Sequence, residues 1–123
     1  MKHIIISLIY LLSLFCISKF IFEPANLYYE LTWLDIPMHI MGGFGVAALT
    51  GAVLSYRGIK ISYTKLFIAY VVIAVSWEIY EYVHNINTID GWSGWPDTWK
   101  DLFDGLVGMS IAYLFVRKYK TNK

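Results

Sequence analysis

Four long runs of mostly apolar residues, at about 4–22, 37–56, 64–83 and 102–116, take up most of this 123-residue chain. A helix that crosses a bilayer needs about 20 predominantly apolar residues, so each run is read as one span. The pattern predicts an all-α integral membrane protein, a four-helix bundle built as a single transmembrane domain over residues 1–123. No stretch remains for a separate soluble domain. The first run follows Lys2 as a signal peptide would, but it continues into FEPANLYY with no small-residue cleavage site, so it is expected to be retained.

Polar residues interrupt the runs at particular places. The second span opens with LDIPMH: Asp35 is a candidate cap, Pro37 suits a first helical turn, and His39 shares a face with Asp35 four residues earlier. Gly43, Ala47 and Gly51 continue that spacing as a stripe of small residues, which lets another helix come close. The third span ends in SWEIYEYVH, where Glu78, Glu81 and His84 are helical neighbours. The fourth opens with WPDTWKDLFDG, placing Asp97, Asp101 and Asp104 along a stripe that turns small at Gly105, Gly108 and Ala112. A favourable helix dipole accounts for Asp97 and Asp101 but fades before Asp104.

Composition agrees with the membrane reading: 58% of residues are hydrophobic, 18% aromatic and only 15% charged, against roughly a quarter charged in soluble domains. Net charge is near zero, yet its placement is strongly biased. Lys2, Arg57, Lys60, Lys65, Arg117, Lys118, Lys120 and Lys123 lie at one set of helix ends, and all nine acids lie at the other. Positive residues stay cytoplasmic, which predicts a multi-pass cell-membrane protein with both termini inside and its acids outside. Lys19 and Lys100 fall on the acidic side, where their stems are expected to snorkel to headgroups. All five tryptophans, at 33, 77, 92, 95 and 99, fall there too, as an interfacial belt would. Cys16, the only cysteine, excludes an intrachain disulfide and reads as a packed thiol.

In this topology the acidic ends of the second, third and fourth spans meet at one level. Asp35, His39, Glu78, Glu81, His84, Asp97, Asp101 and Asp104 are therefore candidate ligands of one outer pocket. Crowded carboxylates need a cation, a histidine or shared protons. The Glu81-x-x-His84 spacing suits a metal in a helical bundle, and an oxygen-rich set with imidazole suits Mg, Mn, Zn or Fe. A bound metal there would polarise a phosphoryl or acyl oxygen, with His39, Glu78 and Asp101 as the catalytic candidates. There is no serine nucleophile elbow, no phosphate loop and no basic nucleic-acid face.

Several of these residues resemble a known family. Asp35-x-x-x-His39 followed by GGF, Trp77-Glu78-x-x-Glu81, and Asp97-Thr-x-x-Asp101 running into Gly108 are similar to the YjdF-like family of small bacterial membrane proteins, and more distantly to the VanZ-like superfamily. The resemblance spans about residues 33–112. It implies an envelope setting and points to Asp35, His39, Glu78, Glu81, Asp97, Asp101 and Gly108; VanZ-like members are linked with resistance to a glycopeptide antibiotic. Ile36, Glu81 and Gly105 stand where the VanZ-like pattern has lysine, glutamine and asparagine, which favours the YjdF-like comparison. Two expectations stay open: an outward pocket that binds a cation or a polar lipid headgroup, with or without metal-assisted hydrolysis, and a non-enzymatic binding, resistance or scaffold protein. Membrane lipids are the expected partners, and oligomers are compatible with either. Ion or proton transport is less supported, because no ionisable residue continues through the inner half of the second, third or fourth span.

Overall fold

A computed structural model describes residues 1–84 and 95–119, the His84 side chain excepted. Among the described residues every regular element is helical. Helix α1 covers Lys2–Ile17 and widens into a π-turn at Ser18–Phe22. A connector follows, with the short α2 (Leu27–Glu30) and a 3-10 turn (Thr32–Leu34). The remaining long helices are α3 (Asp35–Tyr56), α4 (Tyr63–His84) and α5 (Trp95–Val116). Asn26 opens α2 with φ 56°, a left-handed conformation that asparagine tolerates better than most residues. The Tyr28 hydroxyl meets Ser18 Oγ at 2.6 Å, which folds the connector back onto the end of α1.

Three segments are long and apolar enough to cross a membrane: Lys2–Phe22, Thr32–Tyr56 and Tyr63–Val83. The fourth expected span falls short of that standard. Every long window of α5 takes in Lys100, Asp101 and Asp104, so its first half is too polar, although Leu106–Val116 is not.

Helix α3 packs against α1, α4 and α5, and most closely against α5. The small-residue stripes are the reason. A Cβ added to Gly43 would run into the Gly105 carbonyl, and one added to Gly108 would run into the Ile40 carbonyl. On Gly51 it would stand 2.8 Å from Val116 Cβ. Ala47, Met109 and Ala112 fill the seam and are completely buried. Because Gly43 meets Gly105 while Gly51 meets Val116, α3 and α5 run parallel.

The Tyr70 hydroxyl donates to the Leu102 carbonyl at 2.5 Å and Tyr63 meets Ser110 at 3.0 Å, so α4 runs antiparallel to α5. On the other side, Tyr10 donates to the Met41 carbonyl at 3.1 Å while Met1, Lys2 and His3 share a cleft with Ala52, Ser55 and Tyr56, setting α1 antiparallel to α3. The His3 ring stacks on Tyr119 with centroids 4.5 Å apart, so the described ends of the chain meet at one end of the stack. Outward faces are apolar: Leu12, Val72 and Phe103 are each more than 60% exposed. Surfaces of that kind are unusual on soluble monomers and normal against lipid.

Candidate functional site

At the end of the stack away from Tyr119, a cavity of about 390 Å³ opens between α1, α3, α4 and α5. Its polar lining includes Asp35 and His39 from α3, Glu78 and Glu81 from α4, and Asp97 and Asp101 from α5. These are six of the eight residues expected to share a pocket. The parallel run of α3 and α5, with α4 packed beside them in the opposite sense, delivers two helix starts and one helix end to the same level. Asp104 lies one turn deeper on α5, outside the lining, with Oδ2 3.8 Å from Lys100 Nζ. The His84 side chain, and with it the Glu81-x-x-His84 pairing, lies outside the described residues, as does Trp92.

Two overlapping groups of ligand atoms share Asp101. Atoms of Asp35, His39 and Asp101 lie within 4.8 Å of one another, and so do atoms of Glu78, Glu81 and Asp101. Donors on opposite sides of an Mg or Ca ion stand about 4–5 Å apart, from ligand distances of roughly 2.0–2.6 Å. Both groups are therefore compact enough for a cation.

They differ in what already fills them. Lys100 Nζ lies 2.5 Å from Asp35 Oδ2 and 2.5 Å from Asp101 Oδ1, so the first group holds the chain's own ammonium. His39 Nε2 sits beside it, 3.1 Å from Asp35 Oδ1 and 3.5 Å from Asp101 Oδ2. Burial opposes the charge on Lys100, which precedes the apolar half of α5. The bonds to Asp101 and Asp35 outweigh that and hold the ammonium above its ordinary range. In the connector, burial raises the Tyr28 phenol that also lines the cavity.

In the second group Asp101 is shared with Lys100, but the two glutamates have no such cation within ion-pair distance among the described residues. Glu81 Oε1 accepts from Trp77 Nε1 at 2.8 Å, and Glu78 takes a hydrogen bond from Thr98. Among the described residues neither glutamate forms an ion pair. Glu78 is nonetheless buried, at 9% exposure.

Several sequence expectations change here. Lys100 does not snorkel; it turns inward, because two carboxylates within reach compete better for its ammonium than headgroup water does. Lys19 likewise binds Glu23, at 2.6 Å. Asp35 is the first residue of α3 rather than its cap, makes no capping bond, and spends its carboxylate on Lys100 and His39. Trp77 is more than a belt residue, since its indole N–H orients Glu81. Lys100 and Thr98 were missed as site residues; the one signal for Lys100 was its place as the only cation in WPDTWKDLFD. No protein-family model, curated protein or solved structure matches the chain, so any functional reading rests on this geometry.

Proposed function

We propose that the chain is a multi-pass membrane protein whose four long helices stand as a bundle with both termini cytoplasmic. Its acidic cavity opens outward and binds a cation, free or carried on a polar headgroup, through Glu78, Glu81 and Asp101. The orientation is supported by the basic residues gathered at the Tyr119 end of the stack and the acids gathered at the other. A spanning role for α5 is supported by where its charges go: Asp97 and Asp101 are buried, at 6% and 4% exposure, so lipid would meet mainly its apolar side.

The observation that carries the binding proposal is the pair Glu78 and Glu81, enclosed with Asp101 and forming no ion pair among the described residues. Buried carboxylates are costly unless protonated or paired; Asp101 already has Lys100, and an added cation relieves the two glutamates. Three carboxylates favour a hard ion such as Mg or Mn over Zn or Fe. His39 Nε2 is held between Asp35 and Asp101, where it donates rather than accepts. We therefore assign His39 to binding and orientation, and propose binding rather than hydrolysis as the activity.

The test is a titration of purified protein in neutral detergent with Mn²⁺, followed by electron paramagnetic resonance. One saturable site is expected, weakened at least about tenfold, or about 1.4 kcal/mol, by Glu81→Ala. Equal binding by wild type and Glu81→Ala overturns the proposal and favours a scaffold.

A further inference from the structure

The cavity is acidic only at its mouth. Deeper in, its walls are Leu14 and Phe15 of α1, Val46 and Leu49 of α3, and Ile73 and Ala74 of α4. Along α3 the lining runs from Asp35 to Thr50, a length of about 22 Å at a rise of about 1.5 Å per residue. A volume of about 390 Å³ falls within the range of sites that enclose small organic ligands. Helices α1 and α4 both line the cavity without packing closely on each other.

Gly42 adds an independent observation. Side chains at Gly43, Gly45, Gly51, Gly105 and Gly108 would strike a neighbouring helix, so packing accounts for those glycines. A Cβ at Gly42 would meet nothing within 4 Å, and Gly42 lines the cavity. Glycine inside a helix is unfavourable relative to alanine. What its small size preserves at this position is the room in the cavity.

Long and mostly apolar, with an acidic mouth, the cavity has the polarity of an amphiphile. Its charged lining is mostly anionic: Glu23, Asp35, Glu78, Glu81, Asp97 and Asp101 against Lys19 and His39, with Lys100 bound to Asp35 and Asp101 beside it. Lys19 is already paired with Glu23. An anionic headgroup would meet repulsion at this mouth, whereas an ammonium would find two glutamates without a partner cation among the described residues.

We infer that the cavity holds one acyl chain of a phospholipid with a primary-amine headgroup, its ammonium received by Glu78 and Glu81. This rests on the cation-binding reading above and names the molecule that carries the cation.

Native mass spectrometry of the purified protein, given phosphatidylethanolamine or phosphatidylglycerol of identical chains, tests it. Wild type is expected to retain the amine lipid about fivefold better, the effect of one modest ion pair. Gly42→Leu should lower that retention to the phosphatidylglycerol level, and Glu78→Gln with Glu81→Gln should remove the preference. Added Mn²⁺ should displace the amine lipid. Equal retention of both lipids by wild type that still binds Mn²⁺ overturns the inference and leaves the cation site standing. Equal retention with no Mn²⁺ binding overturns both. A dimer that excludes both lipids also overturns the inference, since a second copy would then be the occupant. Should Gly42→Leu fail to fold, the wild-type lipid comparison still decides.

Discussion

Lys100 Nζ lies 2.5 Å from Asp35 Oδ2 and joins the second turn of α5 to the first turn of α3 across 65 residues of chain. The same ammonium also holds Asp101, so one side chain keeps two carboxylates from repelling each other where α3 and α5 begin. Removing it leaves buried anions facing each other. Lys100→Met should destabilise the protein by about 3 kcal/mol, the scale for one lost partner of a buried ion pair. Thermal unfolding in detergent reads this, and adding Asp35→Asn to Lys100→Met should recover part of the loss. An unchanged melting temperature in Lys100→Met would show that the bridge contributes nothing.

The same bridge sets an alkaline limit. Lys100 titrates at about 10.5 when unfolded and higher in the folded protein. Its contribution is therefore complete below about pH 10.5 and is lost as pH rises through the higher folded value. The melting-temperature gap between wild type and Lys100→Met should narrow as pH rises above about 10.5. A gap that widens at high pH would contradict the sign.

Glycines separate packing from cavity. Gly108→Ala and Gly43→Ala each push a methyl into a backbone carbonyl of the facing helix, which side-chain movement does not relieve. Each should cost about 1–3 kcal/mol or more. Gly42→Ala meets open space and should be neutral or stabilising, by up to about 1 kcal/mol. Equal losses at all three positions would refute the parallel α3–α5 seam.

Much of this architecture was legible in the chain, and for identifiable reasons. Hydropathy and length mark Lys2–Phe22, Thr32–Tyr56 and Tyr63–Val83. The three-and-four spacing of small residues marks the seam, and the segregation of charge brings the acidic ends to one level. What spacing does not reveal is helix rotation and partner choice. Lys100 and Lys19 look alike as cations at the acidic level, yet one bridges two helices while the other pairs four residues away on its own. Trp77 reads as a belt residue until α4 and its indole are oriented. Spacing puts Gly43 rather than Gly42 on the seam, but it does not reveal that Gly42 faces open space. The apolar depth of the cavity was equally hidden, because its walls come from three helices whose inward faces look no different from lipid-facing ones.

Tyr70 provides a check on the α4–α5 contact beside the site. Its hydroxyl donates to the Leu102 carbonyl, and a Cβ on Gly105 would collide with that hydroxyl. Tyr70→Phe should cost about 1 kcal/mol, the usual net worth of one hydrogen bond, and should leave Mn²⁺ affinity within about twofold, since 1.4 kcal/mol would be needed for tenfold. A large loss of Mn²⁺ binding with little change in stability would place Tyr70 among the ligands instead.

Cation-induced difference infrared spectroscopy reads the carboxylates themselves. On addition of Mn²⁺, the account predicts a shift of the antisymmetric carboxylate stretch that saturates and disappears when Glu78 and Glu81 are both changed to glutamine. Identical difference spectra from wild type and the double variant would contradict it.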